Sequence, residues 1–321
     1  MRLLATATSL PPTTESAEEI AKAIGKSHAW VRERAGVVRR YKATRETASQ
    51  LGAQAAVQAL RNAGIEAAEL GWILCGSATS DQAIPGNAAL LQTEIGKSAR
   101  GVPCLDVGMT CLGFLAGLHV AEQFFRGGLR KPILLVCSDI ASVGTHPKRL
   151  QEYCLFGDGA AAVVLSPDGP PLQADFQTFG QFSELCELPA GGSRKHPSRG
   201  SKPDDFLFHM DGPKLFRAVV DRFPQFLSHF LAEHETRVED IDWLVPHQAS
   251  RHAIDSLSNT VGFGADRRID IFATHGNQVS ASIPTALHIG IQSGRILSGQ
   301  KILLAGTSAG VSFGAALLEH T

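Results

Sequence analysis

The chain repeats itself. Leu70-Gly71-Trp72-Ile73-Leu74-Cys75-Gly76-Ser77-Ala78 parallels Ile241-Asp242-Trp243-Leu244-Val245-Pro246-His247-Gln248-Ala249. Lys131-Pro132-Ile133-Leu134-Leu135 parallels Lys301-Ile302-Leu303-Leu304, and Phe156-Gly157-Asp158-Gly159-Ala160-Ala161 echoes Phe313-Gly314-Ala315-Ala316. Three echoes in one order indicate a duplicated unit. The turn cluster Pro167–Pro171 marks the expected boundary, giving halves 1–170 and 171–321.

Within each half, short apolar runs alternate with segments of helical spacing. Expected strands are Leu3–Thr8, Gly71–Cys75, Pro132–Cys137, Ala160–Leu165, Trp243–Val245, Lys301–Ala305 and Gly314–Leu318. Expected helices are Thr47–Gly64, Cys111–Arg126, Lys214–Glu233, Ser250–Thr260 and Pro284–Ser293. The alternation predicts an α/β layered fold whose strands are buried on both faces.

Composition excludes several classes of function. Hydrophobic residues make up 44% and charged residues 19%, so the chain is not a disordered one. Thirty Lys and Arg against 31 Asp and Glu leave a net charge of −1, which offers no global attraction to nucleic acid or acidic membranes. No apolar stretch is long enough to span a bilayer. The apolar run after Arg2 is too short and polar for a signal peptide. The six cysteines form no C-x-x-C pair, so no metal site is expected, and most sit in apolar runs as small hydrophobes. A reducing, cytoplasmic compartment fits them. Ser193–Lys202, rich in Arg and Lys, is either a solvated loop or a basic flap near a phosphorylated ligand.

The sharpest local signal is Asp106-Val107-Gly108-Met109-Thr110-Cys111-Leu112-Gly113-Phe114, where a strand-like run gives way to an apolar helix. Cys111 at that helix start is either an ordinary buried thiol or a nucleophile whose pKa the helix dipole lowers toward neutrality. Cys104 is assigned to packing. His247 follows the strand Trp243–Val245, a favoured place for active-site residues in α/β sheets. Asn277 and His275 lie in the glycine-bearing loop Thr274-His275-Gly276-Asn277-Gln278, where turn residues are also common. Gly306-Thr307-Ser308-Ala309-Gly310 matches a G-x-S-x-G nucleophile elbow, but a strand-like run follows it instead of a helix. It is therefore read as a tight loop supplying main-chain amides.

Taken with their flanking words, Cys111, His247 and Asn277 resemble the thiolase superfamily, and within it the β-ketoacyl-ACP synthase III family. The resemblance extends from Trp30-Val31-Arg32-Glu33-Arg34-Ala35-Gly36-Val37 through Phe156–Ala160 and Val245–Ala249 to Gly276–Pro284 and the last glycine loop. It implies a duplicated five-layer αβαβα sandwich, usually a homodimer, with no cofactor beyond acyl-CoA as substrate. It also implies that Cys111 accepts an acyl group, and that His247 and Asn277 hold a malonyl-ACP or malonyl-CoA thioester as it loses carbon dioxide. The amides of Cys111 and Ala309 would receive the oxyanion. Trp30, Arg34, Arg149 and Ser250 would face CoA, with Arg149 offset by one position from the family pattern. Ile84 would help to set the acyl pocket across the dimer, and Arg217 and His252 would meet the carrier protein.

Departures from the pattern accompany the resemblance. Ala309 replaces a common glycine and Pro213 a common asparagine; Ser250 and His252 replace a common Asn and Arg. These leave open a role in fatty acid synthesis or in a specialised relative of it. Acyl transfer to an oxygen or nitrogen acceptor without decarboxylation, and a non-catalytic partner subunit, are the alternatives.

Overall fold

The computed structural model describes residues 1–321. Nine strands build two sheets: β1 (Arg2–Ser9), β2 (Trp72–Cys75), β3 (Cys104–Asp106), β4 (Ile133–Ile140), β5 (Asp158–Ser166), β6 (Gln173–Thr178), β7 (Trp243–Pro246), β8 (Lys301–Ser308) and β9 (Ser312–Glu319). The first sheet runs β1-β5-β4-β2-β3 and the second β7-β8-β9-β6. In the first, β2 pairs parallel with β3 and β4, whereas β5 lies antiparallel to β4 and β1. The second repeats this pattern: β7 is parallel to β8, β9 is antiparallel to β8 and β6, and a parallel bridge from Leu244 to Arg268 stands where β3 stands in the first. Every pair of echoed words thus occupies equivalent strands.

Helices α1 (Ala48–Ala63), α2 (Gly113–Arg126), α3 (Gly212–Val220), α4 (Phe223–Glu233), α5 (Arg251–Val261) and α6 (Ser282–Gln292) complete the layers. Apolar side chains of α2 and α6, among them Phe114, Leu118, Ile283 and Leu287, share one core with β4 on one side and β8 on the other. Outside, α1 packs on the first sheet through Leu51, Ala55 and Ala59, and α4 on the second through Phe226, Leu227 and Phe230. The order is therefore αβαβα. It explains the continuous apolar runs: Ile133, Leu135 and Cys137 face the central helices, while Leu134 and Val136 face α1.

The expected helix Lys214–Glu233 is in fact two, α3 and α4, separated at Asp221 and Arg222. Pro224 is the reason: it lacks an N–H and fits only the first turn of a helix, where none is needed. The G-x-S-x-G segment joins β8 to β9 as an antiparallel hairpin with Ser308 opposite Ser312, so no elbow forms.

Candidate active site

Cys111 lies in a 3₁₀ turn, Thr110–Leu112, that leads into α2. Thr110 holds φ +45°, an outlier for a β-branched residue, and this bend sets the direction of the next side chain. The turn packs against β8 and against a second 3₁₀ turn, Val279–Ala281. The main-chain N–H groups of Cys111 and Ala309 favour the ionised form of the thiol. The sulfur sits against a small apolar cluster of Ala141, Phe156 and Val279.

This environment corrects the expectation of a lowered thiol pKa. Burial pushes the Cys111 thiol well above its ordinary range, and Cys186 and the carboxylate of Asp139 add to the effect. The two amides oppose it and do not prevail. Asp139 is fully buried, and it accepts hydrogen bonds from Ala78 N (2.9 Å), Thr79 N (2.6 Å), Thr79 Oγ1 (2.9 Å) and Ser280 N (2.9 Å). Neither Asp139 nor Ser280 stands out in the sequence. Together they tie β4 to the loop that carries Asn277.

His247 follows β7, and its N–H donates to Ala305 O of β8 at 2.9 Å. The ring is buried and its Nδ1 has no partner. Burial alone depresses its pKa to about 4, so the imidazole is neutral at pH 7. Asn277 is fixed at both ends of the peptide: its N–H donates to Leu155 O (2.8 Å) and its carbonyl accepts from Gly157 N (3.0 Å). Its side-chain Oδ1 accepts from Val279 N at 2.9 Å, which turns Nδ2 toward Ala249, two residues beyond His247. Val279 has φ +52°, a second β-branched outlier beside a candidate residue. The elements that carry these residues are neighbours: the Cys111 turn packs on β8 and on the turn after Asn277, and His247 abuts β8 at Ala305 and Gly306.

The remaining candidates lie further out. Trp30 is half-buried at the end of a short helix, with Arg34 exposed one turn on. Arg217 on α3 and His252 on α5 are exposed, and Ile84 is 86% exposed. Ser250 caps α5, its hydroxyl accepting from Ala253 N (3.2 Å). Arg149 is paired instead of lying free: it donates to Asp204 Oδ2 (2.6 Å) and Phe208 O (3.2 Å) and meets His209 Nε2 at 3.1 Å. In the basic segment, Arg194 is paired with Glu187 and Lys195 with Asp205. His275 packs on Tyr41 with its Nδ1 near Ile271 O and Thr274 Oγ1, so its role is structural. Cys104 packs beside the α1 core.

Two buried neutral histidines carry a consequence for stability. His247 and His275 both titrate at about 4 when folded, below the 6.5 of a free histidine. The unfolded chain therefore binds more protons between these values, and stability falls as pH drops from 6.5 through 4. Each contributes a loss of about 3 kcal/mol at full extent, since one pKa unit is worth about 1.4 kcal/mol. Asp139 and Asp158, whose pKa values burial raises, act in the opposite sense. His247→Gln isolates the effect: its unfolding temperature should decline less steeply than the wild type's between pH 7 and 4.5.

Known proteins share this sequence pattern and this fold. Residues 105–180 match the family described as 3-oxoacyl-[acyl-carrier-protein (ACP)] synthase III, and residues 231–320 match its C-terminal part. The β-ketoacyl-[acyl-carrier-protein] synthase III of Neisseria meningitidis serogroup B is 32% identical over 322 residues, covering 99% of both chains. That of Shewanella oneidensis is 32% identical over 324 residues with the same coverage. Among solved structures, the synthase III of Pseudomonas aeruginosa PAO1 superposes with a TM-score of 0.91 at 28% identity, over 99% of this chain and 98% of that one. The Aquifex aeolicus enzyme gives 0.90 at 26%, with 99% of each covered. Likeness at this level extends through both sheets and the layer between them, and the chain belongs to the β-ketoacyl-[acyl-carrier-protein] synthase III family of condensing acyltransferases.

Proposed function

We propose that Cys111 takes an acyl group from acyl-CoA and passes it to the carbanion released from a malonyl thioester on acyl carrier protein, giving a 3-oxoacyl product. The observation that carries this reading is the placement of one buried thiol at the head of α2, in a turn that packs on β8 and on the turn following Asn277. The amides of Cys111 and Ala309 would receive the oxyanion formed whenever a thioester carbonyl at that sulfur becomes tetrahedral. In the first step the Cys111 sulfur bonds to the acyl carbon, and CoA leaves as its thiol with the proton that Cys111 gives up. In the second, the malonyl C–CO₂ bond breaks and its electrons enter the thioester as an enolate. Neutral His247 and the Nδ2 group of Asn277 donate hydrogen bonds to that enolate oxygen. The enolate carbon then attacks the acyl-Cys111 carbonyl, the carbon–sulfur bond breaks with its electrons on sulfur, and the Cys111 thiolate takes up one proton from solvent to return to the thiol.

Trp30 and Arg34 are proposed to meet the nucleotide end of CoA, with Arg149 as a second arginine on the adenine side, although Asp204 competes for it, and Ser250 also faces CoA. Arg217 and His252 offer an exposed basic face to an acidic carrier protein. A homodimer is part of the proposal: Leu105 on the edge strand β3 and Ile84 are exposed apolar groups, and a second copy would cover both. The halves 1–170 and 171–321 would each contribute one side of the site. Six unpaired cysteines suit a reducing, cytoplasmic compartment, and no helix is long and apolar enough to cross a membrane.

Intact-protein mass spectrometry after mixing with acyl-CoAs is the test. The wild type should gain the mass of one acyl group, and Cys111→Ser should gain no thioester. A folded wild type that loads neither from CoA nor from ACP donors would overturn the reading.

A further inference from the structure

Resting on that reading, we propose that Arg40 is a positioning residue for Asn277: its guanidinium, held by Glu15, fixes the main chain of residues 153–157 to which the Asn277 peptide is bonded. None of the hydrogen-bond partners of Arg40 is a reacting group. Its side chain is nevertheless buried, with the residue only 1% exposed.

A buried guanidinium is tolerated only when its donors are matched, and all three nitrogens of Arg40 are engaged. Nε and Nη2 donate to Glu15 Oε2, at 2.9 and 2.5 Å. Nη1 donates to the carbonyls of Tyr153 and Phe156, the latter at 2.9 Å. Glu15 stands directly opposite Arg40 in a short antiparallel pair, Thr14–Ser16 with Arg39–Tyr41, and its Oε1 also accepts from Lys42 Nζ (2.9 Å). The carboxylate aims the planar fork, and the two carbonyls are its target.

Those carbonyls lie at the end of a short helix, Leu150–Leu155. The last carbonyls of a helix have no partner within it. Here Arg40 takes those of Tyr153 and Phe156, and the Asn277 N–H takes Leu155 O at 2.8 Å. The Asn277 carbonyl in turn accepts from Gly157 N at 3.0 Å. Both main-chain bonds of Asn277 therefore land on the neighbours of Phe156, the residue whose carbonyl Arg40 holds. The two segments have no slack between them, since a Cβ on Gly157 would collide with His275 O. A shift of the helix end carries the Asn277 peptide with it, and a displacement of about 1 Å at a positioned group costs about 10²-fold.

The experiment measures carbon dioxide release from the malonyl thioester beside acetyl loading of Cys111. Arg40→Met keeps the length of the side chain but bonds neither carbonyl. It should lower decarboxylation by about 10²-fold, with loading within a few-fold of wild type. Arg40→Lys should show a smaller loss, about tenfold, because a point charge cannot serve two carbonyls and a carboxylate as a fork does. It also carries the test should Arg40→Met fail to fold. Lys42→Met, which leaves both carbonyls bonded, should decarboxylate as the wild type does. In an Asn277→Ala background Arg40→Met should cost little more, because the group it positions is already gone. An arginine that merely stabilised the fold would add its own loss there. Wild-type decarboxylation in either folded Arg40 variant overturns the assignment. An equal fall in both half-reactions overturns it too, as does a full further loss in the Asn277→Ala background. A folded wild type that neither loads nor decarboxylates would remove the acyl-Cys111 reading and this assignment with it.

Discussion

Alanine at His247 or at Asn277 should lower decarboxylation of the malonyl thioester by about 10²–10³-fold, the usual effect of removing one donor from a developing oxyanion. Acyl loading of Cys111 should be largely retained in both. The split follows from where the groups point. The amides proposed to serve loading belong to Cys111 and Ala309, which neither substitution touches. The groups proposed to serve decarboxylation are a neutral imidazole and an amide whose Oδ1 is already engaged by Val279 N, leaving Nδ2 to donate. Because both donors act on one oxygen, the double variant should be little worse than either single one. Carbon dioxide release without acyl primer measures the second half-reaction, and intact mass the first. Loss of loading in both variants, with unfolding temperature unchanged, would sink this division of labour.

The architecture was legible because duplication leaves its mark on strand words. Trp72–Cys75 and Trp243–Pro246 hold equivalent positions in their sheets, and the apolar runs that flagged them are runs because both faces of each strand are covered. The sequence offers site candidates only where a residue type is itself the signal, as with Cys111, His247 and Asn277. What decides the state of the thiol was not. Ala141, Phe156, Val279 and Asp139 come from separate elements and meet only in the folded chain, so a rule about helix N-termini gave the wrong direction for Cys111. Thr110 and Val279 adopt backbone angles that their residue types disfavour, and no local propensity could announce them. Arg149 was offset by one position in the family pattern. Its partner Asp204 lies 55 residues away, so the sequence could not reveal that it is paired.

Gly306→Ala should lower decarboxylation by about 10²-fold and affect loading of Cys111 much less. A Cβ on Gly306 would lie 2.5 Å from the Cβ of His247, closer than such atoms approach. The glycine is not needed for its backbone angle, since Gly306 sits within β8 paired with Gly314 and has no positive φ. Only space forbids a side chain. β8 lies between β7 and β9 and contributes Leu304 to the central core, so it is the less free of the two to move. Relief must come from His247, just beyond β7, whose main chain is tied to β8 by a single hydrogen bond to Ala305 O and otherwise only accepts from Ala249 N of its own turn. A displacement of about 1 Å at a reacting group is enough for a loss of this size. Decarboxylation unchanged from wild type would show that the imidazole does not act from the position described. A matching loss of loading would show instead that the added carbon disturbs Cys111 through the turn at Thr110–Leu112, which packs on the same strand.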